Sequence, residues 1–353
     1  MHRPLSLAVF LFTSGIAQAQ FQLQTSNTTA DLRGIHAIGN GVAWASGTNG
    51  TVLRTEDGGY VWQSCSVPPG AEHLDFRGIQ AFDADTALVM SSGKGDQSRL
   101  YKTTDGCHTW KLIVSNPDPD GFWDAIILNR FDKDGKLLGD PVDGKFVFLE
   151  TSDKGDTWTK SRYEGLDALK DEGAFAASNS SLMLDERFIT GFVTGGPSGP
   201  RILTNDRASK TEAFKAKPLP LKGGSPSAGG FSIAYRDWGC WVAVGGEYTK
   251  PEDSAGTAAY THDGGRTWHP AQTPPHGYRS SVAYDAASKT WITVGPNGTD
   301  ISADDGKNWK PLLSSSALKE AADSDRNWNA LSLPFVVGPK GRIGRLDSSA
   351  APK

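Results

Sequence analysis

Cysteine is scarce in this chain, with Cys65, Cys107 and Cys240 the only three in 353 residues, and that scarcity excludes a core built on a disulfide framework. The odd number leaves at least one thiol unpaired; whether the other two are bridged stays open. No CxxC spacing occurs, and the seven histidines are scattered without paired or i, i+4 spacing. Neither a metal nor a cofactor is implied. Charge of one sign is lacking too. A formal net charge of −4 supplies no basic field for nucleic acid or anionic lipid, so a nucleic-acid partner is not expected. Helix-period patterning is weak throughout, and the best stretch, SSALKEAADSD from Ser315, reads as a short insertion at most.

Long apolar runs are also missing. The one that stands out, Leu5 to Ile16, follows His2 and Arg3 and precedes Ala17-Gln18-Ala19. It is too short for a bilayer, which needs about 20 apolar residues. It reads instead as a secretory signal peptide over residues 1–19, cut before Gln20. The mature chain is therefore expected to be soluble and exported, to the periplasm or the exterior.

What the chain has in abundance is one repeated octapeptide. TEDGGYVW (Thr55 to Trp62) returns as TTDGCHTW (Thr103), TSDKGDTW (Thr151), THDGGRTW (Thr261) and SADDGKNW (Ser302), with a worn copy, TNDRASKTEAF, from Thr204. Their aspartates, Asp57, Asp105, Asp153, Asp206, Asp263 and Asp304, lie 48, 48, 53, 57 and 41 residues apart, the size of a four-stranded propeller blade. This S/T-x-D-x-G-x-T-W pattern is the Asp-box. A short Asp side chain accepts hydrogen bonds from its own turn, Gly supplies positive φ, and Trp buries a large ring between sheets. A motif present in nearly every repeat is scaffolding, not a unique active site.

The rest of each unit agrees. Two strand-like segments, an Asn49-Gly50 hairpin signal and TVLRT precede the first box. Further copies begin near Phe76, Phe122, Ala174, Phe231, Tyr278 and Asn327, which makes seven. The seventh lacks a box and a fourth strand, whereas FQLQTS (Phe21 to Ser26) is an orphan strand at the front. The expected fold is all-β: a seven-bladed β-propeller over residues 20–346, its last blade completed by the N-terminal strand, followed by a flexible tail, 347–353. A monomer is expected.

The repeated RGI…NGTVLRTEDGG..W order, the seven units and the secretory leader resemble the photosystem II stability and assembly factor family in its wider bacterial form. The resemblance covers nearly all of the mature chain. It implies a non-enzymatic, export-side propeller that binds a membrane-protein precursor or another exported protein through an arginine-rich patch.

Function in a propeller gathers where the innermost strands begin around the axis. The residues ahead of the inner-strand aliphatics are Arg33, Arg77, Trp123 with Asp124, Glu172, Gly230, Arg279, and Asn327 with Trp328. Arg33, Arg77 and Arg279 converging on one mouth, beside Trp123 and Trp328, would bind a carboxylate or another small anion. Alternatively each arginine pairs with Asp124, Glu172 or a carbonyl and closes the channel. The competing class is a sialidase-like glycoside hydrolase, with Tyr278 as nucleophile, Glu172 as its partner and Asp124 as proton donor. Against it, the sialidase Arg-Ile-Pro motif is absent, its nearest look-alike being Arg201-Ile202-Leu203, and xyloglucanase-type enzymes use two propellers. A calcium-loop look-alike near Asp132 has Arg130 and Pro141 where ligands belong. The glycine pairs from Gly47, Gly196 and Gly295 read as turns, and Trp44 and Trp291 as packing between blades.

Overall fold

Short β-rich segments separated by left-handed turn residues have one way to bury both faces without long free edges, which is to stack sheets radially. In the computed structural model, which describes residues 21–129, 133–185, 189–205, 213–312 and 323–346, seven four-stranded antiparallel sheets do this. The innermost strands of blades 1 to 7 are Leu32–Gly39, Phe76–Ala81, Trp123–Leu128, Leu182–Leu184, Ala228–Tyr235, Ser281–Asp285 and Ala330–Ser332. The signal-peptide segment, Asp206, Arg130 to Asp132, most of the Ser315 segment and the tail lie outside the described residues.

The ring closes as the sequence indicates. Phe21–Gln24 pairs with Ile343–Leu346 as the fourth strand of blade 7. Phe21 is buried and meets the Trp328 ring edge-on at 5.8 Å.

The hydrophobic core is divided into seven layers, one at each junction between blades. Trp44 fills the layer between blades 1 and 2, and Trp291 that between 5 and 6. Around the axis, side-chain hydrogen bonds tie neighbouring inner strands. Ser332 accepts from Ala37 N, His36 from Ala81 N and Gln80 from Leu128 N. Asn179 both accepts from and donates to Ile126. Ser180 donates to Ser232, which accepts from Val282 N, and Ser280 donates to the Trp328 carbonyl. Every junction carries such a bond.

Five boxes are built alike. The Thr or Ser hydroxyl donates to Asp Oδ1 at 2.7–2.8 Å, and that oxygen also accepts a backbone N–H four residues on. The fourth and fifth box positions both take positive φ, from Gly58-Gly59 through Asp305-Gly306. Cys107 is the one non-glycine at the fifth position, at φ 64°. It is bridged to Cys65 of blade 1, with the two Cα atoms 5.3 Å apart, while Cys240 is free and buried.

Candidate functional site

The pleat of a regular strand sends alternate side chains into the two flanking blade layers, so a residue faces the axis mouth only where the pleat is broken. A β-bulge does this by inserting one unpaired residue. Near the start of four inner strands the register shifts by one residue, at Arg33, Arg77, Asp124 and Phe231. The adjacent strand of blade 3 has a matching irregularity at Asp140. All five line one cavity of about 1300 Å³, with Phe122, Phe175, Tyr248 and Tyr278.

Each of the four bulged residues is followed by a small residue and then Ile: Arg33-Gly34-Ile35, Arg77-Gly78-Ile79, Asp124-Ala125-Ile126 and Phe231-Ser232-Ile233. The small residue is needed because the next blade passes close by. A Cβ on Gly34 would stand 2.9 Å from the Arg77 carbonyl oxygen.

Two arginines stand about Asp75, and only one of them pairs with it closely. Arg77 Nε donates to Asp75 Oδ2 at 2.8 Å and Arg77 Nη1 to the Ala176 carbonyl at 3.1 Å. Arg33 lies 3.9 Å from Asp75 and 4.0 Å from Asp31, without a hydrogen bond from its Nε. Both side chains are about 30% exposed. The lining also holds an aromatic cluster. Phe231 stacks on Phe175 at 3.9 Å and meets Tyr278 edge-on at 4.8 Å. Blade 4 contributes through an irregular approach, residues 174–180, in place of an inner strand running that far.

The third arginine is elsewhere. Arg279 has no bulge beneath it; its N–H bonds Gly245 O in blade 5, and its side chain is fully buried. Its guanidinium is taken up by Asp300, Asn297 and the Tyr278 carbonyl, with His276 completing the Asp300 cluster. Trp123 and Trp328 are not mouth residues either. Trp123 packs between blades 2 and 3, and Trp328 between blades 6 and 7 beneath Arg342. Reading one residue early on a pleated strand exchanges the mouth for the core.

The residues cast as a glycosidase are differently employed. Glu172 spends both oxygens on Arg201, at 2.8 and 2.5 Å, and also accepts from Thr194 and Leu169 N. It clasps the loop before blade 4. Tyr278 is buried, and its phenol is pushed up by burial and by Tyr248, against the pull of Arg33. Asp124 is 1% exposed, with its carboxyl raised well above the usual range by burial and by Asp140, and Arg77 opposing. Burial raises Asp140 to about 6, although its carboxylate accepts from Ala174 N at 2.9 Å.

Asp140 was not among the sequence candidates, because a middle-strand residue gives no signal of its own. The fold also assembles Cys240, His262 and Asp305, whose ligand atoms lie within 4.8 Å of one another, although their spacing implied no metal. Arg236 already pairs with Asp305, and burial, then the Asp305 charge, push the Cys240 thiol up to about 12.

The BNR/Asp-box repeat model matches residues 259–270, the box of blade 5. No curated protein sequence matches the chain. Among solved structures, "YCF48 bound to D1 peptide" is similar with a TM-score of 0.63 and 17% identity over 92% of this chain and 96% of that one. YCF48 from Cyanidioschyzon merolae gives 0.62 and 17%, over 94% and 99%. The GH74 xyloglucanase from Xanthomonas campestris gives 0.54 and 12%, over 87% of this chain and 56% of that one. At these identities the likeness is one of fold.

Proposed function

We propose that this protein is an exported, non-enzymatic propeller that binds a segment of a partner protein at the bulge-lined mouth and assists the assembly or stability of a membrane complex. The observation that carries the reading is the partly exposed pair Arg33 and Arg77, of which only Arg77 holds a close acid, Asp75 at 2.8 Å, while Arg33 stands 3.9 and 4.0 Å from Asp75 and Asp31, in a cavity large enough for several side chains. A guanidinium such as that of Arg33, whose acids stay too far off for a close pair, favours a ligand carboxylate, and the aromatic cluster offers apolar contact beside it. YCF48 bound to D1 peptide shares the fold, which supports a peptide as the occupant. The apolar run and small-residue site at the N-terminus support export.

The test is a pull-down from the membrane fraction of the exporting cell, comparing wild type with an Arg33→Ala/Arg77→Ala variant. Membrane-protein partners captured by wild type and lost in the variant are expected. The same partners retained by the variant would place the site elsewhere.

A second reading rests on Asp124 and Asp140. Two carboxyls in one cavity, both raised, are the equipment of a glycoside hydrolase. Turnover of a β-glucan or sialoside that Asp140→Asn abolishes would favour it; no turnover is expected.

A further inference from the structure

The cavity carries both signs of charge. Asp124 and Asp140 stand on two adjacent irregularities in neighbouring strands of blade 3. Asp124 Oδ2 is buried without a hydrogen-bond partner, and Asp140 receives a single backbone N–H, from Ala174. The cation nearest in effect is Arg77, but its Nε is committed to Asp75 and its Nη1 to Ala176. Neither carboxyl forms an ion pair among the described residues. Burying two acids against one another without a cation is unfavourable, and a cation placed between them offsets that cost in a setting where water screens little.

We infer that Asp124 and Asp140 form a cation subsite that takes the ammonium or guanidinium of a lysine or arginine side chain in the bound segment. This rests on the reading of the mouth as a peptide site and adds a specificity to it. A basic side chain fits the chemistry better than a metal ion, because a hard cation demands six or more oxygens and this pair of carboxyls supplies fewer. A long aliphatic stem also suits a cavity whose lining includes Phe175, Phe231 and Tyr248. The bound segment would thus present a carboxylate to Arg33 and Arg77 and a basic side chain to blade 3. Requiring both charges at a fixed separation discriminates more sharply than either alone.

The experiment uses peptides ending in a free carboxylate, with one lysine moved through the last few positions, each paired with a peptide carrying norleucine there. Affinities are measured by calorimetry for wild type and for Asp124→Asn/Asp140→Asn. At one lysine position wild type is expected to prefer lysine by about tenfold or more, as for a desolvated charge pair. In the double Asn variant that ratio falls to near one. Equal affinities at every position, or a lysine preference that survives in the variant, overturns the subsite while leaving the peptide site standing. If no peptide binds wild type, the peptide reading fails and takes the subsite with it. Competition by calcium alone, with no lysine preference, would assign the pair to a metal instead. The wild-type comparison decides by itself if the Asn variant does not fold.

Discussion

At the scale of single residues, access to the mouth depends on which side of a pleat a side chain leaves. Arg33, Arg77 and Asp124 were legible as residues just ahead of inner-strand aliphatics, but the same rule picked Gly230 in place of the bulged Phe231, and Arg279, which lacks the small-residue–Ile context of the bulges and folds into a buried pair with Asp300. Asp140 was not legible, since its placement comes from a register slip that composition does not encode. The two mouth acids also make a prediction about pH. A carboxyl raised to about 6 when folded binds more protons folded than unfolded, so its contribution is full below its unfolded value near 4 and is lost as pH rises through 6. That loss is on the order of 3 kcal/mol. Asp140→Asn keeps an acceptor for Ala174 N and removes the charge. Its melting temperature is expected to exceed that of wild type at pH 7–8 and to lose this advantage near pH 4; an equal gain at both pH values would contradict the burial of a costly carboxylate.

At the scale of elements, the Asp-box was the most readable part of the chain, because its chemistry is confined to one turn. Hydroxyl and amide hydrogen bonds from Thr109 hold Asp105 down at about 2, so this box's stabilisation is present above the usual carboxylate range and fades as pH falls toward 2. Asp105→Ala is expected to lower the melting temperature and leave peptide affinity unchanged, and the reverse pattern would contradict scaffolding. The disulfide was not readable, since three cysteines allow three pairings. Cys107 occupies a left-handed position that the other four boxes give to Gly, and its bond to Cys65 staples blade 1 to blade 2 across 42 residues. Chain entropy puts that staple at about 4 kcal/mol at most. Reduction should therefore lower the melting temperature, and in a Cys65→Ser background Cys107→Gly should melt higher than Cys107→Ser by relieving positive φ. If the two melt alike, backbone strain at Cys107 is not a factor.

At the scale of the whole molecule, the seven-unit count and the orphan strand specified a closed ring, and the closure has its own consequence. Deleting Phe21–Gln24 would uncover the Ile343–Leu346 edge and the Trp328 layer, so the truncated protein is expected to melt several degrees lower and to aggregate on heating. A truncated protein that melts like the parent would show the strand to be dispensable. The ring brings bulges from separate blades to one mouth, which we propose holds a partner's carboxylate. The most direct measurement is the affinity of wild type and of Arg33→Ala/Arg77→Ala for one peptide in free-acid and C-terminal amide forms, at low and moderate salt. Wild type should prefer the acid, most strongly at low salt, and the variant should bind the two forms alike. Acid and amide bound equally by wild type, or an acid preference undiminished in the variant, would contradict the account.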